Sequence, residues 1–325
     1  MTAPLPVGVV GVGALGQHHA RHLAAAHGAV LVGVHDQDRL RAEQVAEACG
    51  TRAYPDLDAL LAKVEAVTVA VPTAAHAEVG VRALEHGVAV LMEKPLAGTL
   101  AEADRLLAAA AASGMPLQVG HVERFNRAIR GAQPYLQDPR YLEMTRLAPF
   151  QVRGADVAVV LDLMIHDLDL LLHLTGGAAA SDVRANGVAV LSPHLDMANA
   201  RVEFANGAVA NVTASRMARE RVRRLRVFQS NGYFSLDLGS GQGEFMRLRS
   251  GFQPGVSTSL ADVVERVSLE APAADALGLE LASFVQVVRG LDGTVVSRTE
   301  GRAALALALR VAGAVGAAPA VVATG

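Results

Sequence analysis

The sequence predicts an α/β protein with two domains: an N-terminal doubly wound parallel sheet, and a C-terminal α+β domain with a large, mainly antiparallel open sheet. A glycine-rich turn follows the first apolar run, and short apolar runs then alternate with helical stretches up to about residue 121. Beyond that point Asn-Gly turns separate consecutive apolar runs. The first rhythm is typical of βαβ units and the second of β-hairpins.

The glycine-rich turn is the first element. Gly11-x-Gly13-x-x-Gly16 follows an apolar run and leads into a helical pattern. In a dinucleotide-binding turn, glycines allow a tight bend, close approach of the backbone to pyrophosphate, and close helix–strand packing. The start of the helix also offers N–H groups and a partial positive charge to a phosphate. The predicted cofactor contacts in this turn are Gly11, Val12, Gly13, Ala14, Leu15 and Gly16.

A carboxylate after the second apolar run supports the dinucleotide interpretation over an ordinary tight turn. The run Val30–His35 ends at Asp36, twenty residues after Gly16. A carboxylate at this position accepts hydrogen bonds from both ribose hydroxyls of NAD and repels the 2′-phosphate of NADP. We therefore predict NAD rather than NADP, although Arg39 lies nearby. Taken alone, Asp36 is also compatible with a turn or helix-capping residue.

Composition limits the remaining possibilities. A chain of 325 residues is long enough for two domains, placed here at residues 1–121 and 122–325, with the closing helices able to return onto the first. The net charge of −3 gives no general attraction to nucleic acid or to an anionic membrane. Cys49 is the only cysteine, which fits a reducing compartment. Neither a signal peptide nor a membrane span is expected, so we predict a cytoplasmic protein.

The first domain is predicted to contain five buried strands and five helices, because its apolar runs are continuous rather than alternating. The predicted strands are Val7–Val10, Val30–His35, Ala66–Val71, Ala89–Met92 and Leu117–Val119. The predicted helices are Leu15–Ala26, Asp38–Cys49, Leu57–Lys63, Ala75–His86 and Thr99–Ser113.

The second domain is predicted to combine helices with strands of alternating polarity. The predicted strands are Leu142–Leu147, Val183–Leu191, Ala198–Phe204, Ala208–Ser215, Arg224–Gln229, Tyr233–Leu238 and Glu244–Arg249. The predicted helices are Arg124–Tyr135, Val157–Leu174, Ala274–Arg289 and Thr299–Val315, with a less regular segment at 251–267. Asn206-Gly207 and Asn231-Gly232 indicate hairpins, so one sheet face is expected to be open and able to pack against another copy.

Two motifs, the Val71–His76 stretch and Glu93-Lys94-Pro95, follow later strands of the first domain. They lie at the edge where open α/β sheets bind ligands. Lys94 is one of only two lysines among 29 basic residues, and a lysine is a compact donor that a planar arginine does not replace. A strand end and helix cap would explain Pro72 and Thr73 equally well. The predicted cofactor contacts at this edge are Val71, Pro72, Thr73, His76, Glu93 and Lys94.

A polar stripe runs along the apolar helix predicted at Val157–Leu174. Asp162, His166, Asp169 and His173 are spaced by four, three and four residues. Such a stripe needs polar partners or a wet cavity, so it is a structural stripe, a metal site or an acid–base site. We favour acid–base chemistry for Asp162 and His166 and a structural role for the other two. No metal is predicted.

Further polar residues are candidates for substrate binding. Arg124, Asn126 and Arg153 are predicted to contact a polar or anionic substrate, although structural roles as caps or salt bridges explain all three equally well. The arginines between residues 219 and 226 are interpreted as a solvated sheet face. His18, His19, His22 and His27 lie on one early helix and need no function.

Together these motifs resemble the Gfo/Idh/MocA family, the glucose–fructose oxidoreductase and inositol dehydrogenase group. The resemblance extends over essentially the whole chain and rests on the glycine turn, Asp36, the Val71–His76 stretch, Glu93-Lys94-Pro95 and Asp162-x-x-x-His166. It implies a Rossmann domain joined to an open-sheet domain, and a homodimer or homotetramer formed through that sheet. The family's catalytic lysine falls on Lys94, its catalytic histidine on His166 and its supporting aspartate on Asp162.

The resemblance also implies an activity. The stretches at 121–126 and 153–167 are similar to the branch that oxidises the 3-hydroxyl of UDP-N-acetylglucosamine or of its uronic acid. A secondary alcohol of the sugar would give hydride to nicotinamide while a histidine, with an ordinary pKa of about 6.5, takes the hydroxyl proton and a lysine holds the oxygen. A dehydrogenase of a free sugar or polyol, and a non-catalytic sensor of dinucleotide or sugar, remain alternatives.

Overall fold

The computed structural model describes residues 3–151, 157–251 and 259–316. The chain divides into two compact units. Unit 1 comprises Met1–Phe125 and Ala274–Leu305, and unit 2 comprises Asn126–Ala273 and Ala306–Gly325. Within the described ranges, no helix is both long enough and apolar enough to cross a membrane.

Unit 1 contains a six-stranded parallel sheet, which confirms the predicted doubly wound architecture. The order of its strands is β3-β2-β1-β4-β5-β6. The prediction missed only the two-residue β3, which is too short to leave a hydrophobic pattern. The strands are β1 (Leu5–Val10), β2 (Ala29–His35), β3 (Arg52–Ala53), β4 (Ala66–Val69), β5 (Ala89–Glu93) and β6 (Leu117–Gly120).

Helices connect these strands, and polar caps mark where several of them begin. Asp38 and Asp56 accept hydrogen bonds from first-turn N–H groups of α2 (Arg39–Ala48) and α3 (Leu57–Leu61). Thr99 and Glu102 form a capping box at the start of α5 (Leu100–Ser113). The other two helices between Met1 and Phe125 are α1 (Gly16–Ala24) and α4 (His76–Glu85).

The second stretch of unit 1 completes its hydrophobic core. Helix α9 (Ala276–Val288) packs against α1. Its Leu281, Phe284 and Val285 are each 1 % exposed and belong to the same apolar cluster as Val9 of β1 and Leu23 of α1. The core of unit 1 is therefore assembled from chain segments far apart in the sequence.

Unit 2 contains an eight-stranded sheet in the order β14-β13-β12-β11-β7-β10-β9-β8. Its described neighbouring strands pair antiparallel except for β7 and β10, which are parallel. Both predicted Asn-Gly hairpins are present, joining β9 to β10 and β11 to β12. The strands are β7 (Tyr141–Leu147), β8 (Ala180–Val188), β9 (Met197–Phe204), β10 (Val209–Ser215), β11 (Val222–Gln229), β12 (Gly232–Asp237), β13 (Gln242–Leu248) and β14 (Val264–Ser268).

Two helices predicted for the second domain are broken into pieces. The segment 157–174 is a π-helical turn, Val160–Met164, followed by α7 (Ile165–Leu174). The segment 124–135 is a 3₁₀ turn (Val122–Phe125), α6 (Arg127–Ala132) and a second 3₁₀ turn (Gln133–Tyr135). The described remainder of the predicted irregular segment contains α8 (Leu260–Val263) and β14, and α10 (Arg298–Gly316) follows α9.

One face of the eight-stranded sheet is buried and the other is partly exposed. Buried and half-exposed residues alternate along β7, β9 and β10. On the exposed face the rings of Tyr141, Phe228 and Tyr233 form a row, with centroid separations of 5.7 and 5.4 Å. The guanidinium of Arg226 lies 4.9 Å from the Phe228 centroid, and its Nη1 is 3.1 Å from Glu143 Oε2.

Candidate active site

The glycine turn after β1 leaves no room for a side chain at two of its three glycines. Gly11 has a φ of 81°, and a Cβ there would lie 2.8 Å from the backbone of Val71. A Cβ on Gly16 would lie 1.8 Å from the carbonyl oxygen of Gly11. By contrast, a Cβ on Gly13 would meet no described atom within 4 Å. Gly11 and Gly16 are therefore required by the turn itself, whereas Gly13 leaves open space beside the start of α1, where a phosphate group fits.

Asp36 lies at the end of β2 and is tied to the same turn. Its Oδ2 accepts the Val12 N–H at 2.8 Å, and its Oδ1 accepts the Asp38 N–H at 2.8 Å. The nearby arginine is Arg41, whose Nη1 is 3.5 Å from Asp36 Oδ1, while Arg39 pairs with Glu43 on the exposed side of α2. Each carboxylate oxygen has a second lone pair, so ribose hydroxyls fit this residue as additional donors.

Lys94 follows β5 directly and is half-buried. Glu93 before it is 9 % exposed and accepts the Lys94 N–H at 3.1 Å through Oε2. The other oxygen, Oε1, lies 3.0 Å from Nε2 of His19, a buried residue of α1 that the sequence analysis left without a function. Because His18 and His22 lie on the same helix, nothing in the sequence distinguishes His19 from them.

The segment after β4 contains the other predicted cofactor residues. Val71 and Thr73 are half-exposed and Pro72 is exposed, so all three remain accessible. His76 is only 1 % exposed, and its two ring nitrogens lie 2.8 Å from the Pro95 carbonyl oxygen and 3.0 Å from that of Val71. Burial lowers the pKa of His76, although the backbone contacts and Glu93 oppose this shift. His76 therefore links two backbone segments of this edge, and its role as a cofactor contact stays a prediction.

Arg124 and Asn126 have structural partners. Arg124 is 6 % exposed, and its Nη1 donates to Glu300 Oε1 at 2.6 Å within unit 1. This bond and those from Ser297 outweigh desolvation and lower the pKa of Glu300 to about 2. In unit 2, Asn126 caps α6 and donates to the Leu238 carbonyl oxygen at 2.8 Å. These contacts favour the cap and salt-bridge interpretation over direct substrate binding. Arg153 lies outside the described residues.

Asp162 lies in the π-helical turn, and His166 lies in the first turn of α7; both are half-buried. The predicted polar stripe requires continuous α-helical spacing from Asp162 to His173. The π-helical turn interrupts that spacing, so the prediction of one continuous stripe is wrong. A π-helical turn has i→i+5 hydrogen bonds and frequently marks functional sites in helices. Among the described residues, no group of three or more His, Cys, Asp or Glu side chains is arranged to hold a metal ion.

A buried ion pair beside His166 is a feature that the sequence analysis missed. Arg146 of β7 and Asp167 of α7 are 4 % and 2 % exposed. Arg146 Nε lies 2.9 and 3.1 Å from the two Asp167 oxygens, and Nη2 lies 2.6 Å from Oδ1. This forked contact fastens the start of α7 to the sheet. The sequence does not indicate this ion pair, because Asp167 stands next to the candidate base His166 and its partner Arg146 is 21 residues away.

We expect Arg146→Met to destabilise the protein by about 3–5 kcal/mol, because it leaves the Asp167 carboxylate buried without its main partner. The double variant R146M/D167L should recover much of that loss, since an apolar pair avoids the desolvation penalty. Arg247→Met, which removes a solvent-accessible ion pair with Glu265 in the same sheet, is the control and should change stability by less than about 1 kcal/mol. Urea unfolding of the purified variants measures all three. Equal losses for R146M and R247M would contradict the assignment.

A second buried aspartate orders the chain beside the π-helical turn. Asp196 Oδ2 accepts the N–H groups of Val190, Leu191 and Ser192 at 2.7, 2.6 and 3.0 Å. Although burial raises its pKa, these bonds and the Ser192 hydroxyl dominate and lower it to about 2. Arg216 lies beside Asp196 and donates to the Val157 carbonyl oxygen at 2.6 Å. This network fixes the residues that lead into Asp162 and His166.

Two family models match the chain in succession. The model described as "Oxidoreductase family, NAD-binding Rossmann fold" matches residues 5–121. The model described as "GFO/IDH/MocA C-terminal domain" matches residues 134–235. The first match covers the glycine turn, Asp36 and Lys94, and the second covers Asp162 and His166.

Similar proteins include dehydrogenases of sugars and inositols. A protein of Acidithiobacillus ferrooxidans named UDP-N-acetylglucosamine 3-dehydrogenase is 41 % identical over 309 residues, which cover 94 % of this chain and 95 % of that protein. A scyllo-inositol 2-dehydrogenase (NAD(+)) of Bacillus subtilis is 30 % identical over 227 residues, covering 64 % of this chain and 66 % of that protein.

Solved structures show the same architecture. The structure of UDP-N-acetylglucosamine 3-dehydrogenase from Acidithiobacillus ferrooxidans has a TM-score of 0.89 at 40 % identity, with coverage of 97 % of this chain and 98 % of that one. A levoglucosan dehydrogenase in complex with NADH and levoglucosan has a TM-score of 0.81 at 20 % identity, with coverage of 96 % and 97 %. The second likeness concerns the fold alone.

Proposed function

Because the chain belongs to the GFO/IDH/MocA family of NAD-binding oxidoreductases, we propose that it oxidises the 3-hydroxyl of a UDP-N-acetylhexosamine or of its uronic acid. The observation that carries the proposal is the position of the glycine turn, Asp36 and Lys94. They follow β1, β2 and β5 of one parallel sheet. The carboxyl ends of parallel strands meet at one edge, which is where such sheets bind ligands. Similarity to a UDP-N-acetylglucosamine 3-dehydrogenase over nearly the whole chain supports the substrate class.

The glycine turn and Asp36 would hold the dinucleotide, whose nicotinamide ring accepts a hydride when bound. Lys94 would donate a hydrogen bond to the substrate oxygen and stabilise the negative charge that develops on it. His166 would remove the hydroxyl proton. Asp162 would orient the imidazole, although the π-helical turn changes the spacing on which this role was first based. The contacts of Arg146 and Asp196 would limit the movement of the segment that bears these two residues.

A substrate panel tests the proposed function. The purified protein is incubated with NAD and UDP-N-acetylglucosamine, its uronic acid, free sugars or inositols, and NADH formation is followed at 340 nm (a 2-oxoacid acceptor is added in parallel to recycle any retained cofactor). Turnover of a UDP-sugar with formation of a 3-keto product would support the proposal. Turnover of inositols alone would replace it with polyol oxidation, the alternative that the similar inositol dehydrogenases favour. No turnover with any substrate, in protein shown to bind NAD, would overturn both.

We propose NAD rather than NADP as the cofactor, on the basis of the carboxylate that Val12 and Asp38 hold at the end of β2. Arg41 is 46 % exposed at its side chain and lies beside this carboxylate. Removal of Asp36 would therefore leave a cation where a 2′-phosphate would lie.

Asp36→Ala is expected to lower kcat/KM for NAD by about 10- to 100-fold, because it removes hydrogen bonds to a charged acceptor. The ratio of kcat/KM for NADP to that for NAD should rise. Asp38→Ala is the matched control, since it also removes a carboxylate near Arg41 but should cost only the helix cap, about 1 kcal/mol of stability. Steady-state kinetics with both cofactors measure the ratio. An unchanged ratio in the Asp36 variant would contradict its role.

We further propose that copies of the chain associate through the exposed face of the eight-stranded sheet. Its row of Tyr141, Phe228 and Tyr233 offers flat aromatic surface of the kind enriched at interfaces. Light scattering of the wild type and of Phe228→Glu tests this, since a charge in the row should shift the protein to a smaller species.

A further inference from the structure

The residues on both sides of Lys94 contact buried histidines. Glu93, which precedes it, lies against His19 of α1, with Oε1 and Nε2 3.0 Å apart. Pro95, which follows it, offers its carbonyl oxygen to His76 Nδ1 of α4 at 2.8 Å. Both histidines are 1 % exposed. The backbone around Lys94 is therefore held by two helices of unit 1.

The contact between His19 and Glu93 is unusual because it buries a carboxylate. Burial alone would raise the pKa of Glu93, but the hydrogen bond and charge of His19, with the charge and N–H of Lys94, bring it below its ordinary value. Replacing a buried ionic contact by an apolar pair of similar size is often neutral or stabilising. The contact between His19 and Glu93 is therefore a candidate for a role beyond stability.

The two oxygens of Glu93 connect two functional segments. Oε1 contacts His19, three residues after Gly16 on the helix that begins at the glycine turn. Oε2 accepts the N–H of Lys94. A side chain on the helix that faces the cofactor phosphates is thereby joined, through one carboxylate, to the backbone of the proposed oxyanion-stabilising lysine.

We propose that His19 is a positioning residue, which acts through Glu93 to fix Lys94 relative to the glycine turn. The inference rests on the proposed role of Lys94 in hydride transfer. His19 contacts neither substrate nor cofactor in this arrangement. It sets the direction and charge environment of Lys94, and a small displacement of a reacting group lowers the rate steeply.

The sequence offers matched variants. His19→Leu removes the donor and keeps the bulk, whereas His19→Gln places an N–H donor at a similar distance from the backbone. His18→Leu is the control, because His18 is the neighbouring residue on the same helix and is exposed. The contact of His76 with Pro95 persists in all three variants, so the segment keeps one anchor when His19 is replaced.

A direct probe of Lys94 is available because the chain has only two lysines, and the other, Lys63, is exposed. Reductive methylation with ¹³C-formaldehyde gives each dimethyl-lysine a separate NMR signal, which a Lys63→Arg variant assigns. In H19L, Glu93 loses its contact with His19, so its carboxylate is no longer held against the backbone of Lys94 and the surroundings of the Lys94 side chain change. The chemical shift of the Lys94 signal at a fixed pH should therefore differ from that of the wild type. It should return towards the wild-type value in H19Q and stay unchanged in H18L, and the Lys63 signal should stay unchanged in every variant.

Kinetics complete the test. H19L should lower kcat about 10- to 100-fold, with the Kd for NADH, measured by fluorescence titration, changed less than threefold. H19Q should recover most of the loss, and H18L should match the wild type. The inference is overturned if the Lys94 signal has the same chemical shift in H19L and wild type, or if H19Q and H19L lose activity and thermal stability equally. The NMR readout needs no turnover, so it remains informative if the substrate panel fails.

Discussion

Lys94→Ala is expected to lower kcat by about 10³-fold while the affinity for NADH stays within a few-fold of the wild type. The ammonium group would be aimed at the oxygen on which charge develops, so its loss removes an interaction that strengthens in the transition state. The glycine turn and Asp36, which would hold the dinucleotide, are unaffected because they lie at the ends of β1 and β2. Stopped-flow NADH formation and fluorescence titration separate the two effects.

Two further variants sharpen this test. Lys63→Ala removes the other lysine, which is exposed and lies two residues after the end of α3, and should retain full activity. Lys94→Arg keeps the charge but replaces a compact donor with a longer, planar one, so it should remain strongly impaired. A K94A enzyme with wild-type kcat would remove Lys94 from the mechanism. Loss of NADH affinity equal to the loss of kcat would make it a cofactor-binding residue instead.

His166→Asn should lower kcat by about 10²- to 10⁴-fold, the usual contribution of a positioned general base. The reaction in this variant should also lose the acidic limb of its pH–rate profile, because no imidazole remains to titrate in the proton-transfer step. His173→Asn is the matched control: it lies two turns later on the same helix α7 and is also half-buried. An unaltered pH profile in the His166 variant would assign the proton transfer to another group.

Asp162→Asn separates orientation from proton transfer. If Asp162 holds the imidazole, the amide should impair kcat less than H166N does and leave the acidic limb in place. A loss equal to that of H166N, with the limb abolished, would identify the carboxylate as the titrating base.

The parallel sheet of unit 1 could be predicted nearly residue by residue, because buried parallel strands are continuous apolar runs and polar caps mark helix starts. The segment that contains Asp162 and His166 could not be predicted in this way. Nearly every residue around Asp162 and His166 is apolar, so hydrophobic periodicity does not distinguish an α-helix from a π-helical turn. The π-helical turn lies between the Arg146–Asp167 ion pair and the hydrogen-bond network around Asp196. Both depend on residues far away in the chain, so the local sequence does not show them.

Residue positions were predictable where a motif carries its own geometry. The glycine turn, Asp36 and Glu93-Lys94 belong to this group, since their positions follow from strand ends alone. The contacts of His19 and His76 were not predictable. His19 is indistinguishable in sequence from its neighbour His18, and nothing in the motif that contains His76 indicates that its ring lies between two backbone carbonyl oxygens. Whether a histidine faces water, carboxylate or carbonyl depends on elements far away in the chain.

The discontinuous core of unit 1 has a consequence for synthesis of the protein. The segment Ala274–Leu305, which supplies Leu281, Phe284 and Val285 to that core, is completed about 180 residues after Phe125. At about 5–20 residues per second, the ribosome needs roughly 10–40 s to add them. During that interval the nascent glycine turn and α1 exist without the helix that covers them, while the whole sheet of unit 2 emerges. The dinucleotide-binding unit begins first on the ribosome but acquires its full core last.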